Sequence, residues 1–359
     1  MRMIKSGKFA DKKILLIDKE PKTKNDRTWC FWERQDGFFE EIVYKKWDTL
    51  SFLSDEFSNA MDISPYQYKM IRGIDFYNYC FEEIIRHKNI EIIYGEANIK
   101  TAKDKISIQV NDQELFIGNA IVFNSFADSS VTTAETISLL QHFKGWVIET
   151  VKDTFDPGSA TFMDFRVEQS RGTTFAYVLP FSPTTALIEY TLFTDKILAD
   201  DEYENELKSY MNDFLNISVY KIIEKEFGII PMTTRKFEFY KNSIYHIGSA
   251  GGQTKASSGY TFQFIQKQSQ SIIDLLIKGE SLKNIPSPPK RFRFYDNTLL
   301  HILYHRKLQG KDIFTAMFAK NDPIQVLKFL DNESSLTEEL KIISTLPILP
   351  FLKAGISQF

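Results

Sequence analysis

Glu189 is the first candidate for chemistry because it is a carboxylate in an otherwise apolar run. The sequence ALIEYT lies in a predicted strand over 185–193, where alternation places Leu187, Thr191 and Phe193 on the same face as Glu189. A carboxylic acid in apolar surroundings has a raised pKa and can hold a proton near neutral pH, as a general acid must. The same pattern also fits an outward-facing glutamate on a half-exposed strand.

Asp164 is the second candidate and lies in the preceding part of the same strand-rich region. In the predicted strand over 160–168, alternation places Asp164 on one face with Phe162 and Arg166. We therefore expect Glu189 and Asp164 to be the catalytic acids.

The sequence IGSAGGQTKASSGYTF, residues 247–262 and here called the glycine segment, joins an apolar strand to a helix through small residues. Glycine lets the backbone approach a ligand closely, and a helix N-terminus presents free N–H groups and the positive end of a dipole. The pattern predicts a site for a negative or electron-rich group, such as a flavin pyrophosphate or a reduced isoalloxazine. A plain tight turn between a strand and a helix is the alternative.

Asp18 ends a short apolar run, KILLID, which is typical of a central parallel strand covered on both faces. A carboxylate at the end of such a strand hydrogen-bonds a ribose hydroxyl in dinucleotide-binding folds. The G-x-G-x-x-G turn that usually lies about twenty residues upstream does not occur in the sequence. A strand that merely ends in Asp at a turn is therefore the alternative.

Two other residue sets predict no site. His301 and His305 are spaced i, i+4 on a predicted helix but have no third ligand, so we expect no bound metal. Cys30 and Cys80 form no C-x-x-C pair, which indicates neither a disulfide framework nor a thiolate metal site.

The elements that must position these residues change in character near residue 145. Short apolar runs and a helix over 75–86 come before it, and long alternating strands separated by turn signals come after it. Two helices, over 202–214 and 219–227, follow the strands. We therefore expect four parts: a nucleotide-binding first part (1–144), an antiparallel substrate domain (145–240), a return to the nucleotide-binding domain (241–280) and a helical C-terminal region (281–359).

Composition narrows the class of partner. A net charge of -3 gives no basic surface for nucleic acid. The 14% aromatic content fits both the codon usage of an A- and T-rich genome and an aromatic-lined tunnel for a long apolar ligand. The sequence has no signal peptide and no run of 18 apolar residues, so we expect a cytoplasmic protein that does not span a membrane.

Taken together, five segments resemble the bacterial lycopene β-cyclases, in the same order and over nearly the whole chain. They are ILLIDKEPKTKNDRTWCFW, FMDFRVEQ, FAYVLPFSPTTALIEYT, IGSAGGQTKASSGYTF and KNDPIQVLKFLDNESSLTEELKII. The resemblance implies an α/β flavoprotein fold similar to that of p-hydroxybenzoate hydroxylase. Such a fold has a Rossmann-like FAD-binding domain, an antiparallel substrate domain and a helical C-terminus.

The resemblance also implies roles for particular residues. Glu189 matches the acid of the family's short Glu-containing strand motif, where plant members carry a second Glu and this chain has Tyr190. The resemblance therefore gives no support for a carboxylate pair. The implied cofactor-binding residues are Asp18 at the adenosine ribose, Arg72 facing the cofactor, and Gly248, Ala250, Gly251, Gly252, Ser258 and Gly259 along the flavin.

The implied reaction is a cyclisation of lycopene ends to β-ionone rings without net redox change, started by protonation and requiring reduced FAD, with NAD(P)H as a reductant. Since lycopene is stored in membranes, peripheral contact with the inner face of the cell membrane is expected, and LKIISTLPILPFLKAGISQF fits such an interfacial segment. A packed C-terminal helix is the plainer alternative for that segment.

The chain departs from the family pattern at its start, where the strand and glycine-rich turn that open other members are missing. We therefore expect an N-terminally truncated chain, from a misassigned start codon or a truncated gene model, that binds FAD weakly or not at all. Two other functions remain open. One is a related FAD-dependent oxidoreductase acting on an isoprenoid or aromatic substrate, and the other is a cofactor-free lipid-binding remnant.

Overall fold

The computed structural model describes residues 1–102, 105–118, 120–126, 136–356 and 358. Its strands in chain order are β1 (Ile14–Asp18), β2 (Thr28–Glu33), β3 (Lys45–Trp47), β4 (Thr49–Leu53), β5 (Ser58–Asp62), β6 (Gln67–Arg72), β7 (Ile90–Tyr94), β8 (Ala97–Ala102), β9 (Lys105–Val110), β10 (Gln113–Ile117), β11 (Val122–Asn124), β12 (Ser138–Thr150), β13 (Ser159–Asp164), β14 (Thr173–Pro180), β15 (Thr185–Thr194), β16 (Tyr220–Thr233), β17 (Tyr240–Lys241) and β18 (Ile244–His246).

Helices are concentrated in the last hundred residues, as the sequence predicts. They are α1 (Arg2–Ser6), α2 (Gly73–Ile84), α3 (Asp200–Asp213), α4 (Phe262–Lys278), α5 (Lys290–Tyr304), α6 (Gly310–Lys320), α7 (Pro323–Leu330), α8 (Leu336–Ser344) and α9 (Ile348–Ile356). In the part of the chain that the structure describes, no helix is long and apolar enough to cross a bilayer.

A seven-stranded sheet, in the order β16-β12-β15-β14-β13-β4-β5, positions the acidic candidates. Strands β12 to β16 pair antiparallel with one another, which confirms the predicted antiparallel sheet, although β12 lies beside β15 and not beside β13. At its other edge β13 pairs parallel with β4. Because side chains alternate along each strand, the sheet has two apolar faces. One face packs Leu187 and Phe193 against the C-terminal helices, and this is here called the inner face. The other packs Ile188 and Tyr190 against α3.

The segment from Tyr220 onward is a strand, and the helix predicted over 219–227 is wrong. Strand β16 runs to Thr233 and forms the edge of the large sheet beside β12. Its residues alternate between half-buried and exposed along almost its whole length, which is the signature of a strand with one covered face. The charged sequence EKEF resembles a helix only when this period of two is overlooked.

Two small sheets contain the parallel strand pairs that are expected of a nucleotide-binding domain. β1 pairs parallel with β7, and β11 pairs parallel with β18, which leads into the glycine segment. The prediction that the KILLID strand is covered on both faces is wrong for the described residues, because Leu15 and Leu16 are 39% and 38% exposed. A third small sheet, β2-β6-β3, packs near the inner face of the large sheet through Trp32, Trp47 and Tyr68.

Candidate active site

Two glutamates occupy one cross-strand row of the large sheet. Gly145 on β12 pairs with Glu189 on β15 at one side and with Glu226 on β16 at the other. Neighbouring strands are about 4.8 Å apart, so the two glutamate backbones are separated by roughly 10 Å with only a glycine between them. The two carboxyl groups approach each other above that glycine, closely enough for each to influence the pKa of the other. We call Glu189 and Glu226 the acid pair.

Gly145 provides the room for this arrangement. A Cβ at position 145 would lie 2.9 Å from Cγ and 3.0 Å from Oε1 of Glu226, and 3.0 Å from Cδ1 of Leu187. Those distances are shorter than ordinary carbon contacts, so any larger residue would push the Glu226 side chain away. The absence of a side chain at one position therefore lets two carboxyl groups from strands on either side meet.

Each carboxyl group has one hydroxyl donor. Thr191 Oγ1 donates to Oε1 of Glu189 over 2.7 Å, and Thr28 Oγ1, on β2, donates to Oε2 of Glu226 over 2.8 Å. Oε1 of Glu226 is sealed from solvent and has no hydrogen-bond partner among the described residues. Both residues keep a minor part of their surface exposed, while their carboxyl groups are enclosed by protein atoms.

This enclosure changes the proton affinity of both acids. Burial, followed by the charge of Glu226, raises the pKa of Glu189 to about 8. Burial also raises the pKa of Glu226, against the opposing hydrogen bond from Thr28. Two carboxylates in contact cannot both ionise cheaply in a poorly solvated site. At neutral pH the acid pair therefore retains a proton, as a general acid requires.

A thiol and three phenols surround the acid pair. Cys30 on β2 and Tyr68 on β6 belong to the β2-β6-β3 sheet. Tyr177 lies opposite Glu189 on β14, and Tyr260 belongs to the glycine segment. Burial raises the pKa of the Cys30 thiol and of all three phenols, so each is uncharged at neutral pH. The groups nearest the acid pair on these elements therefore do not draw its proton away.

Beside the acid pair is a cavity of about 160 Å³, here called the acid cavity. Glu226 and Glu224 of β16 and Arg72 at the end of β6 contribute its polar groups. Asn25 donates a hydrogen bond to Glu224 over 2.9 Å. Nε and Nη2 of Arg72 donate to the two carboxylate oxygens of Asp75 over 2.6 and 2.9 Å. The remaining lining residues are mostly apolar or hydroxylic: Thr28, Tyr44, Met70, Val147, Phe181, Thr185, Leu187 and Ile223.

Asp164 lies on the opposite side of the sheet from the acid pair. Its carboxylate accepts from Arg166 Nη2 over 2.6 Å and from the hydroxyl of Tyr210, in α3, over 2.8 Å. The pairing of β13 with β4 shifts register before Met163, and Phe162 and Met163 both pack into the inner-face core. Because of this bulge, the prediction that Asp164 shares a face with Phe162 is wrong, and the structure does not bring Asp164 to Glu189.

The glycine segment forms a tight turn with backbone conformations that favour glycine. Gly248, Gly252 and Gly259 have φ values of 59°, 73° and 73°. Gly248–Gly251 is a single 3-10 turn that leads through residues 253–261 into α4. A Cβ on Gly259 would lie 1.9 Å from Oε1 of Gln141. In the part of the chain that the structure describes, that oxygen and Oγ of the adjacent Ser258 are buried without a hydrogen-bond partner. Unpartnered polar atoms beside bare backbone fit a bound polar ligand.

A buried ion pair fixes this segment to the helices behind it. Lys255 donates to Asp296 on α5 and to Asn332 beyond α7, each over 2.7 Å, and Ser257 donates to the same oxygen of Asp296 over 2.6 Å. The Lys255 side chain is only 3% exposed. Sequence reasoning did not identify this lysine, because a single Lys in a loop gives no pattern until its partner about forty residues later is known.

The other predicted cofactor-binding residues lie at separate places. Asp18 ends β1 as expected, is 42% exposed at its side chain and binds Lys22 over 2.9 Å. Ala250 and Gly251 lie in the 3-10 turn, where a Cβ on Gly251 would meet the carbonyl oxygen of His246 at 2.2 Å. Gly251 is therefore required by local backbone packing, whereas Arg72 lies in the wall of the acid cavity.

The fold defines the general class of protein. The chain is similar to a geranylgeranyl bacteriochlorophyll reductase-like protein from Thermoplasma acidophilum, with a TM-score of 0.60 and 12% identity over 98% of this chain and 95% of that one. It is also similar to p-nitrophenol 4-monooxygenase from Pseudomonas putida DLL-E4, with a TM-score of 0.58 and 12% identity over the same shares. The flavin-dependent brominase Bmp2 gives a TM-score of 0.56 and 11% identity over 93% and 92%. The fold is therefore of the p-hydroxybenzoate hydroxylase type, as predicted.

Sequence comparison then gives the family. The lycopene cyclase protein family matches residues 5–355, so the chain belongs to that family. None of the curated proteins compared with it is a significant match. The match covers nearly the whole chain, and the expected N-terminal truncation is not borne out by it.

Proposed function

We propose that this chain is a lycopene β-cyclase, which closes β-ionone rings at the ends of lycopene to give γ-carotene and β-carotene. The observation that supports the proposal is Glu189, a carboxyl group on β15 that protein atoms enclose and whose pKa is raised to about 8. Such a group is protonated at neutral pH and can donate to a substrate that has no basic atoms. An alkene is a substrate of that kind.

The proposed reaction needs one proton, which a carboxyl group of the site donates and a carboxylate of the site takes back. The O–H bond of the acid breaks as a C–H bond forms at the terminal double bond, and a tertiary carbocation results. A neighbouring double bond supplies the electron pair for the ring-closing C–C bond. Loss of a ring proton to a carboxylate of the site then forms the β-end double bond. The acid is restored and no electrons are gained or lost.

The surroundings of Glu189 suit a cationic intermediate. Phenol rings of Tyr177 and Tyr260 lie close to it, and Tyr260 packs edge-to-face with Trp32 at a centroid distance of 4.7 Å. Aromatic faces attract cations, and enclosure by apolar groups keeps out water that would quench a carbocation. These groups orient the substrate end and protect it, while the acid supplies the proton.

We infer that FAD binds along the glycine segment. Gly252 and Gly259 hold the segment in left-handed backbone conformations, and the buried oxygen of Ser258 has no hydrogen-bond partner among the residues that the structure describes. The N-terminus of α4, beginning at Phe262, supplies a positive dipole end. We propose that Asp18 binds the adenosine ribose and that NAD(P)H is the reductant. When bound and reduced, the flavin supplies electron density that stabilises positive charge nearby.

We propose that α9 contacts the membrane from which lycopene is taken, at the inner face of the cell membrane. Its Leu349 and Ile356 are 70% and 72% exposed, and Ile348 and Leu352 are exposed beside them. Lys353 is exposed on the same helix and can lie among anionic headgroups. An apolar helix face with a flanking lysine fits shallow insertion at a bilayer surface.

Expression in a lycopene-accumulating bacterial host tests the proposal. We expect β-carotene or γ-carotene with the wild-type chain and at least a hundredfold less with Glu189→Gln at equal protein level. Glu149→Gln is the matched control, because Glu149 is an exposed carboxylate on the adjoining strand β12. A wild-type chain that is folded and flavin-loaded but leaves lycopene unchanged contradicts the proposal. A product of altered redox state, formed only with NAD(P)H, would indicate an oxidoreductase instead.

A further inference from the structure

We propose that Glu226 is a second acid of this site, which shares one proton with Glu189 and exchanges it with the acid cavity. The proposal rests on the proposed function for its chemical meaning, but its physical content is independent of the substrate. This acid pair differs from the two adjacent glutamates of the plant strand motif. Here the second acid, Glu226, comes from another strand, thirty-seven residues after Glu189 in the sequence. Tyr190, which occupies the position of the second Glu of that motif, faces away from the site.

The hydrogen bonds determine how many protons the acid pair holds. Thr191 and Thr28 each satisfy one oxygen, one on Glu189 and one on Glu226. Within the described part of the chain, the sealed Oε1 of Glu226 has no hydrogen-bond donor, and an acceptor left in that state is unfavourable, the more so if it is charged. A proton on one of the two carboxyl groups turns their contact into an O–H to O bond. One shared proton therefore satisfies the geometry, whereas two bare carboxylates do not.

The charged and titratable groups on the surrounding elements do not replace this proton. Cys30 and Tyr68 on the small sheet, Tyr177 on β14 and Tyr260 on the glycine segment are uncharged near neutral pH, because burial raises the pKa of each. None of them offers a cation to either carboxylate.

On the cavity side, two charged residues face Glu226. Glu224, on the same strand, adds a negative charge that raises the pKa of Glu226. Arg72 lines the same cavity but is bound by both oxygens of Asp75 and stacks over the ring of Tyr44 at 4.0 Å. The local balance of charge therefore favours proton retention by the acid pair.

The position of Glu226 gives it a role in the catalytic cycle. It lines the acid cavity and touches Glu189, so it connects Glu189 to that space. When the pair gives its proton to a double bond, both carboxylates are left ionised and in contact, which makes them strongly basic. They are then suited to remove the ring proton that ends the reaction. One proton leaves and one returns, so the pair is regenerated.

The first test follows the shared proton by infrared spectroscopy of the purified protein, titrated between about pH 5 and pH 10. Wild type is expected to show the C=O stretch of a protonated carboxyl group that persists to about pH 8. In Glu226→Gln the midpoint of this band is expected to fall by about one pH unit or more, because a like charge is removed. Glu149→Gln is expected to leave it unchanged. An unchanged midpoint in Glu226→Gln overturns the proposal.

A pair of threonine variants tests the same point with less risk to folding. Thr28→Val removes the hydroxyl that favours ionised Glu226, and Thr191→Val removes the one that favours ionised Glu189. If the two acids share a proton, both variants raise the midpoint of one band. If only Thr191→Val moves it, Glu226 is not part of the unit and the proposal fails.

Activity separates this proposal from the proposed function. In the lycopene-accumulating host, Glu226→Gln is expected to lower ring formation at least tenfold and to move the pH profile of the purified enzyme to lower pH. Equal product and an equal pH profile overturn the role of Glu226 and leave the cyclase proposal intact. A wild type that shows the shared proton but forms no ring has the acid pair and contradicts the cyclase proposal.

Discussion

The raised pKa of Glu189 makes a prediction about stability that needs no substrate. A group that binds its proton more tightly in the folded chain than in the unfolded chain stabilises the fold while both forms are protonated. That contribution is lost as the pH rises toward the folded-state pKa. For Glu189 the two limits are the ordinary value of 4.5 and about 8. Within this window the folded chain holds more protons, so the free energy of unfolding must fall with rising pH.

The size of the effect follows from the same two values. One proton changes the free energy of unfolding by about 1.4 kcal/mol per pH unit at most. Between about pH 5 and pH 8, a shift from 4.5 to about 8 gives a ceiling of about 3.5 kcal/mol. Because Glu189 and Glu226 titrate as a pair, part of this change belongs to Glu226, and we expect the free energy of unfolding to change by about 1–3 kcal/mol. Glu33 and Asp331 also have raised pKa values, and they contribute equally to wild type and to a variant at position 189.

The assay is urea unfolding of wild type and Glu189→Gln at several pH values, followed by tryptophan fluorescence and circular dichroism. The quantity to compare is the difference between the two free energies of unfolding. We expect wild type to lose about 1–3 kcal/mol relative to Glu189→Gln between about pH 5 and pH 8. Glu149→Gln should track wild type. Parallel curves for wild type and Glu189→Gln would refute the claim that this carboxyl group holds its proton in the folded chain.

Four further outcomes are expected. Gly145→Ala should cost about 1–3 kcal/mol in urea unfolding and reduce carotene formation, since its Cβ would lie 2.9 Å from Glu226; unchanged values for both would contradict the assigned role of the glycine. Asp164→Asn should destabilise by about 2–3 kcal/mol yet keep ring formation per folded molecule, and a selective loss of turnover would show a catalytic role. Gly259→Val should lower the flavin-to-protein ratio measured by absorbance, because a side chain at a φ of 73° is strained and would displace the Gln141 side chain beside the glycine segment. An unchanged ratio would contradict flavin binding along this segment. Leu349→Glu should reduce co-sedimentation with anionic phospholipid vesicles, with exposed Leu336→Glu on α8 as comparison, and equal binding by wild type and Leu349→Glu would exclude the α9 face.

The sequence was most informative where local periodicity decided the structure. The sequence pattern predicts a strand over 173–180 and a helix over 262–278, and β14 and α4 begin and end at these residues, because each apolar pattern is bounded by turn residues. The face of β15 that carries Glu189, Leu187 and Phe193 was also predicted correctly, since a regular strand alternates without exception. The division of the chain into four parts at residues 144, 240 and 280 stays a prediction.

What could not be predicted depends on pairing between distant strands. The bulge in β13 turned Asp164 to the opposite face, and nothing in FMDFR indicates where an extra residue enters a strand. Glu226 was missed because EKEF was interpreted as a helix, and even a correct strand would not have aligned it with Glu189 without the β12 register. The role of Gly145 can be seen only when its two cross-strand partners, Glu189 and Glu226, are known. The acid pair is therefore a property of the assembled sheet.

Cyclisation in heavy water tests the central claim most directly. The purified chain, loaded with reduced FAD and supplied with lycopene, should form β-ionone rings that each contain one deuterium, because the site donates one solvent-exchangeable proton and removes one substrate proton per ring. NAD(P)H should not be consumed in proportion to product, and Glu189→Gln should form essentially none. Rings without deuterium, or a product that has gained or lost hydrogen in step with NAD(P)H consumption, would contradict acid-initiated cyclisation by this protein.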